Sequence, residues 1–260
     1  QTDLELVDEY LRGNPIRSVT DLARLERYQS MIRRDQPLVP DESIDVIVSN
    51  CVLNLVRPED KQKLFAEMYR VLKRGGRAVI LDIVSDEPVP EHLTRNPELW
   101  SACVSGAFQE EDFLRAFEAA KFHGIQLEDF RSESYQIVEG IEFRAVTVTA
   151  YKGKEGPCIE RNQAVIYRGP WKQVVDDDGH TLKRGARTAV CDKTFNLYSQ
   201  PPYAGQFIAL PPRQEVALEG AGVFDCARDH KRYPRETKGA EFKITQTRGG
   251  SCGPGSGCCS

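Results

Sequence analysis

The sequence predicts an α/β fold with a small β-rich appendage, and three neighbouring segments carry the prediction. Residues 44–49 form a short β-branched apolar run, residues 60–73 repeat apolar side chains at helical spacing, and residues 77–84 form a second apolar run. Strand, helix and strand in this order make a βαβ unit. Apolar strands without alternation are typical of a parallel sheet that is buried on both faces.

Breaks and periodicity define the remaining elements. The helix of the βαβ unit is expected to end at Arg74-Gly75-Gly76, because paired glycines interrupt helices. The residue pattern also predicts helices at 3–11, 20–34, 90–103 and 109–122, and strands at 125–130 and 141–151. The last strand alternates apolar and polar residues, so we expect it to pair antiparallel with the strand before it.

Four segments are expected along the chain. They are a helical insertion at 1–43, an α/β domain at 44–153, a small β-rich domain at 157–210 and a mostly irregular, cysteine-containing tail at 211–260. Strands are expected near residues 163–168 and 171–175, and a hairpin-like break is expected at Arg184-Gly185 within residues 182–191. Gly, Pro and charged residues dominate from about residue 211, and residues 248–260 are expected to have no capacity to form a core.

Composition narrows the classes of function. The net charge of the 260 residues is −4, so no basic field attracts nucleic acid. No apolar run reaches membrane-spanning length and no signal peptide opens the chain, so we expect no membrane partner and a cytoplasmic location. Because cytosolic thiols stay reduced, the eight cysteines are interpreted as free thiols or soft-metal ligands.

The beginning of the chain lacks a strand before residues 44–49. A strand with an open edge invites association, so this strand is expected to have a neighbour on each side. The chain starts at Gln1 on a helical pattern that does not supply one. We expect the sequence to be a piece of a longer protein; the alternative is that a partner chain completes the sheet.

Three residues are candidates for a site at the rim of the sheet. Ligands of such sheets bind beyond the carboxyl ends of the strands, which places Asn50 and Cys51 at the rim. Cys103 follows a predicted helix and precedes a short loop that could fold over that rim. Two thiolates would suit a soft ion. The alternative for Cys51 is a small buried side chain, and spacing alone does not show that the two cysteines converge.

Two further stretches contain groups that could bind metals. Cys252, Cys258 and Cys259 lie in the last nine residues and could capture a soft ion; the alternative is a merely flexible, oxidisable end. Asp176-Asp177-Asp178 lacks the alternating ligand spacing of a calcium loop, so it is interpreted as a solvated turn.

Longer motifs carry a resemblance to a known family. The stretches are Asp45-Val-Ile-Val-Ser-Asn-Cys51-Val-Leu-Asn-Leu, Phe65-Ala-Glu-Met-Tyr-Arg-Val-Leu-Lys-Arg-Gly-Gly76 and Cys103-Val-Ser-Gly-Ala107. Together they resemble the arsenite S-adenosylmethionine methyltransferases, which are class I methyltransferases. The resemblance covers residues 44–151 and, more loosely, the stretch Ala189-Val-Cys191-Asp-Lys-Thr194.

The resemblance implies a fold and a reaction. The fold is the C-terminal part of a Rossmann-like class I methyltransferase sheet. The cofactor is S-adenosyl-L-methionine, and the small-molecule substrate is arsenite or its thiol conjugates. Cys51 and Cys103 would hold the arsenic as thiolates, and the arsenic lone pair would attack the sulfonium methyl group. Metalloid detoxification follows as the expected role.

Departures from the family pattern leave alternatives open. The family's first nucleotide-binding strand, Gly-rich loop, adenosine-binding acidic residue and third substrate cysteine should all precede Gln1. We therefore expect this chain alone to bind S-adenosylmethionine poorly or not at all, with Asn50 as the candidate contact or as a simple loop hydrogen-bonding residue. One alternative function is non-catalytic metalloid binding through the tail thiols. Another is methylation of a small organic molecule, with Cys51 structural.

Overall fold

A computed structural model describes residues 3–35, 37–227, 230–239 and 243. Contacts divide the chain into two units, Gln1–Gly153 and Lys154–Ser260. The helices of the first unit are α1 (Asp3–Gly13), α2 (Val19–Asp35), α3 (Pro58–Val71), α4 (Glu91–Thr94), α5 (Pro97–Ser101) and α6 (Glu110–Ala119). Its strands are β1 (Ile44–Asn50), β2 (Leu72–Ser85), β3 (Phe108–Gln109), β4 (His123–Phe130), β5 (Gln136–Val138) and β6 (Ile141–Tyr151).

One mixed sheet organises the first unit. Its strand order is β1-β2-β6-β4, with β3 beside β2 and β5 beside β6. The pair β1–β2 is parallel, whereas β6 runs antiparallel to both β2 and β4. The predicted α/β class, the βαβ unit and the antiparallel last strand are therefore confirmed.

Helix α3 forms because its sequence suits both a helix start and an apolar face. Pro58 occupies the first turn, where its missing N–H is not needed, and acidic Glu59 follows at the positive end of the helix dipole. Phe65 and Met68 bury the apolar face in the main core. Phe65 packs edge-to-face on Phe117 of α6 at 4.9 Å between ring centroids, which joins the two helices.

The end of α3 differs from the prediction. The helix stops at Val71, and Arg74-Gly75-Gly76 lies within β2. Leu72 has extended backbone, is fully buried and pairs with Ile44 of β1. Strand pairing and burial of Leu72 therefore end the helix before the glycines are reached.

Two further predictions about this unit were wrong. Burial on both faces holds for much of β2 but not for β1, where Val46 and Val48 are 41% and 73% exposed. Within the described part of the chain, that face of β1 is open. The helix predicted at 90–103 is two short helices, because Asn96 caps the start of α5 with its side-chain oxygen and Pro97 occupies the first turn.

Short strands dominate the second unit. They are β7 (Ala164–Tyr167), β8 (Gln173–Val175), β9 (Thr181–Lys183), β10 (Arg187–Ala189) and β11 (Phe207–Leu210), accompanied by α7 (Asp192–Tyr198) and α8 (Pro234–Lys238). A three-stranded antiparallel sheet has the order β10-β7-β11, and β8 pairs with β9.

The hairpin of this unit lies at a different place from the one predicted. Residues 182–191 do not fold back on themselves: β9 pairs with β8, and β10 pairs with β7. The turn between β8 and β9 is held by Asp176, whose carboxylate accepts hydrogen bonds from the backbone N–H groups of Asp178 and His180. These hydrogen bonds stabilise a chain reversal between β8 and β9, whereas the sequence predicted one between β9 and β10.

Described residues beyond 210 pack into the second unit. Phe224 is 4% exposed, and Arg232 is 1% exposed and ion-paired with Glu160 at 2.8 Å. The segment is mostly irregular apart from α8 and a single 3-10 turn, Leu218–Gly220. The division into four segments stays a prediction. Among the described residues, no helix is long and apolar enough to cross a membrane.

Candidate functional site

Cys51 lies immediately after β1, at the carboxyl edge of the sheet. Its backbone N–H donates a hydrogen bond to the Leu81 carbonyl of β2 at 2.9 Å, which ties the residue to the neighbouring strand. Its φ is +53°, a left-handed conformation that is uncommon for a residue other than glycine. The side chain is half-buried against the apolar cluster that contains Ile83, Leu93 and Val104.

Cys103 reaches the same place from the loop after α5. Its Sγ lies 3.5 Å from the carbonyl oxygen of Cys51, a contact between residues 52 positions apart. Its φ is +61°, and its N–H donates to the Trp100 carbonyl at 3.0 Å. Two adjacent cysteines thus both have left-handed backbone. Such outliers cluster at functional sites, because they persist only where the surrounding structure enforces them.

Asn54 joins the two cysteine segments. It lies in the 3-10 turn Leu53–Leu55 and is fully buried. Its Nδ2 donates hydrogen bonds to the Cys103 carbonyl at 2.9 Å and to the Ile83 carbonyl at 2.7 Å. One amide group therefore connects the Cys103 loop to strand β2. Its Oδ1 atom is buried without a hydrogen-bond partner.

Gly106 and Lys61 hold the far end of the Cys103 loop. A Cβ atom on Gly106 would lie 2.0 Å from the Asn54 carbonyl oxygen, so only glycine allows this approach. The Lys61 ammonium donates a hydrogen bond to the Gly106 carbonyl and lies 4.0 Å from the centre of the Phe108 ring. Burial lowers the pKa of Lys61 to about 8, and only partial compensation comes from Asp82.

The electrostatic environment favours the protonated form of both thiols. Burial raises the pKa of Cys51, and the charges of Asp82 and Cys103 raise it further. Burial and then Asp82 likewise raise the pKa of Cys103. Asp82 is 1% exposed, and burial raises its own pKa although it accepts hydrogen bonds from the N–H groups of Leu53 and Ile83. The pair therefore differs from an activated cysteine nucleophile.

Among the described residues, the other candidates proposed from the sequence do not join the contact between Cys51 and Cys103. Asn50, the proposed cofactor contact, is exposed at the end of β1 and pairs with Leu81 in the sheet. Cys252, Cys258 and Cys259 lie outside the described residues. The ligand atoms of Asp176, Asp178 and His180 lie within 4.8 Å of one another.

The Asp176 carboxylate of that group is already used by the protein. It accepts hydrogen bonds from the Tyr198 hydroxyl and the His180 backbone N–H, and His180 Nδ1 lies 2.8 Å from it. These contacts explain the group as a capped turn that needs no ion.

Asn54, Lys61, Asp82 and Gly106 were not identified from the sequence as site residues. Asn54 offered the clearest signal, because it is a polar residue within the apolar stretch that follows Cys51. Gly106 lies in the Cys103-Val-Ser-Gly-Ala107 stretch, but its close approach to Asn54 exists only in the folded chain.

Comparisons with known proteins match two stretches of the chain to family models. Residues 20–121 match a methyltransferase domain, and residues 154–242 match a domain of unknown function, DUF8838. The arsenite methyltransferase of Mus musculus is 30% identical over 66% of this chain, and that of Homo sapiens is 26% identical over 85%. The chain belongs to the arsenite methyltransferase family. It spans 48% and 62% of the lengths of these two relatives.

A solved structure of the arsenite methyltransferase family gives a comparison in three dimensions. The arsenic (III) S-adenosylmethionine methyltransferase from Chlamydomonas reinhardtii is 25% identical, with a TM-score of 0.45. The match covers 74% of this chain and 66% of that chain.

Proposed function

We propose that the first unit is the arsenite-binding part of an S-adenosylmethionine-dependent arsenite methyltransferase. The observation that carries the proposal is the approach of Cys103 Sγ to within 3.5 Å of the Cys51 carbonyl oxygen. Two cysteine residues from distant parts of the sequence are thus neighbours at the carboxyl edge of the sheet, where ligands of such folds bind. Sulfur ligands suit soft, polarisable acceptors such as trivalent arsenic.

The raised pKa values of the two thiols are compatible with this role. Arsenite is As(OH)₃ at neutral pH, and it can exchange two hydroxyl groups for Cys51 and Cys103. Each new As–S bond breaks one As–O bond and one S–H bond, and the proton leaves with the hydroxyl group as water. The thiols therefore need not be ionised before the substrate arrives, and binding itself drives their deprotonation.

The surroundings position the bound arsenic and limit its contact with water. Asn54 fixes the Cys103 carbonyl, and the close approach of Gly106 to Asn54 fixes the loop. The apolar cluster beside Cys51 covers one side of the site. A rigid pair of sulfur atoms would present the arsenic lone pair in a constant direction, and such positioning is what the protein contributes to a reaction between two bound molecules.

S-adenosylmethionine, when bound, would supply the electrophilic methyl group. Asn50, a polar residue exposed at the carboxyl end of β1, fits one edge of a cofactor site. The described residues that precede β1 form helices α1 and α2 rather than a strand with a Gly-rich turn. The described part of this chain therefore fits only that edge of a cofactor site.

An arsenite titration of defined cysteine variants tests the proposal. The starting chain carries serine in place of Cys158, Cys226, Cys252, Cys258 and Cys259, so that Cys191 is the one cysteine left outside the proposed site. We expect one arsenite to bind, and Cys51→Ser or Cys103→Ser to weaken binding at least tenfold. Cys191→Ser, a cysteine of the other unit, is the matched control. Undiminished binding by both site variants would reject the site.

The two alternative functions give other results in the same experiment. If the chain sequesters metalloids through its tail, deleting residues 252–260 abolishes arsenite binding, whereas our proposal expects binding to persist. If Cys51 is structural in a methyltransferase for an organic molecule, Cys51→Ser lowers the unfolding temperature and the starting chain does not bind arsenite.

A further inference from the structure

The second unit contains a cavity of about 270 Å³ whose lining includes three cysteines, Cys158, Cys191 and Cys226. All three are free thiols. Every residue that lines the cavity belongs to the second unit, so neither Cys51 nor Cys103 is among them. The proposed function uses none of these three cysteines.

Backbone hydrogen bonds bring the three cysteine segments side by side. The Phe224 N–H donates to the Cys158 carbonyl at 2.8 Å, and the Asp192 N–H donates to the Ile159 carbonyl at 2.9 Å. Ile159 and Val223 form an antiparallel bridge, which places residues 158 and 224 opposite each other. The cysteines are therefore positioned by the fold, although they are widely separated in sequence.

The three sulfur atoms differ in their surroundings. Cys191 is 3% exposed, and its Sγ lies 3.2 Å from the Thr194 hydroxyl. Cys158 is half-buried against the small cluster formed by Ala189, Cys191 and Phe224. Cys226 is exposed. Cys158 and Cys226 are consequently the two thiols that a ligand entering from solvent can reach most easily.

The cavity suits a ligand with an apolar body better than a bare ion. Its walls include the apolar side chains of Leu182, Val190 and Phe224. Among the described residues, the three sulfur atoms are not within the 4.8 Å mutual spacing at which one small ion would be held. A ligand that binds two thiols and also carries an apolar substituent would occupy the cavity and contact its sulfur atoms.

We propose that this cavity binds a trivalent organoarsenical through Cys158 and Cys226. The choice of arsenic rests on the proposed function, because methyl transfer to arsenic creates a species with a carbon substituent. With phenylarsine oxide as probe, two As–S bonds form and the As=O bond breaks. The two thiol protons leave with the oxygen as one water molecule, and arsenic stays trivalent.

Intact mass spectrometry of one cysteine variant tests the proposal. In the full chain, Cys51, Cys103, Cys252, Cys258 and Cys259 are replaced by serine, so that only the cavity cysteines remain. We expect one phenylarsenic adduct per chain at equimolar probe and a rise in unfolding temperature. A further Cys158→Ser or Cys226→Ser change is expected to weaken binding at least tenfold, whereas the control Cys191→Ser stays within about threefold.

Two results would overturn the inference. One is the absence of an adduct in a chain whose circular dichroism is native. The other is an affinity that neither Cys158→Ser nor Cys226→Ser changes. Because the first-unit cysteines are absent from this variant, failure here leaves the arsenite site of the first unit intact. Conversely, failed arsenite binding at Cys51 and Cys103 would remove the reason for choosing arsenic, but the phenylarsenic adduct of the cavity is measured independently of it.

Discussion

Replacing Gly106 by alanine tests whether packing against Asn54 positions the thiol pair. The new Cβ would lie 2.0 Å from the Asn54 carbonyl oxygen, and ordinary contact begins near 3.4 Å, so the two segments must separate by more than an ångström. The contacted Asn54 atoms belong to the backbone, and the position of a Cβ atom is fixed by its own backbone, so rotation of a side chain cannot relieve the overlap. We expect Gly106→Ala to displace the loop that carries Cys103.

The expected loss of stability follows from two contributions. Overpacking a buried site costs about 1–3 kcal/mol. Displacing the loop also strains the hydrogen bond from Asn54 to the Cys103 carbonyl, and a buried carbonyl left unpaired costs about 1–3 kcal/mol. The total is on the order of 3 kcal/mol, which lowers the unfolding temperature by about 6–12 °C in a chain of this size.

The assay combines thermal unfolding with arsenite binding in the chain that lacks the tail thiols. We expect the unfolding temperature to fall. We also expect arsenite binding to weaken at least tenfold, because two thiols cannot both bond to one arsenic atom when one sulfur is displaced by about an ångström. The control is Gly13→Ala, where nothing lies within 4 Å of the new Cβ. An unchanged unfolding temperature in Gly106→Ala would refute the packing argument. Lost stability with normal binding would refute the positioning argument.

Three further predictions concern the same loop. Asn54→Asp replaces the N–H donor that faces the Cys103 carbonyl by an acceptor. We expect the free energy of unfolding, measured in urea, to fall by about 2–4 kcal/mol and arsenite binding to weaken. A variant with the stability of the native chain contradicts this. The pKa of Lys61 is about 8 in the folded protein and 10.5 for an ordinary lysine, so the unfolded chain binds more protons between these pH values. The free energy of unfolding, measured relative to that of Lys61→Met, should therefore rise by ~3 kcal/mol between pH 8 and 10.5. A difference between the two proteins that does not change with pH contradicts this. Because the Cys103 pKa is raised, alkylation of that thiol should accelerate about tenfold per pH unit through pH 9, and a plateau below pH 8 would show a thiolate.

The sequence could predict those features that depend on local periodicity. The apolar spacing in α3 and the β-branched runs of β1 and β2 identified the βαβ unit, and the rule for strand ends placed Cys51 at the rim. The end of α3 could not be predicted, because it depends on the pairing of Leu72 with Ile44 in the sheet. The roles of Asn54 and Gly106 arise from a contact between two turns far apart in sequence, and residue spacing contains no information on such a contact.

The protonation of the thiol pair distinguishes a ligand from a nucleophile. A cysteine that attacks a substrate needs a lowered pKa, which a helix N-terminus or a neighbouring cation provides. Here burial and the nearby Asp82 act in the opposite direction on both Cys51 and Cys103. A pair of neutral thiols with left-handed backbone has little reactivity towards ordinary electrophiles. The proposed substrate, trivalent arsenic hydroxide, is an acceptor whose hydroxyl groups can leave with both thiol protons as water.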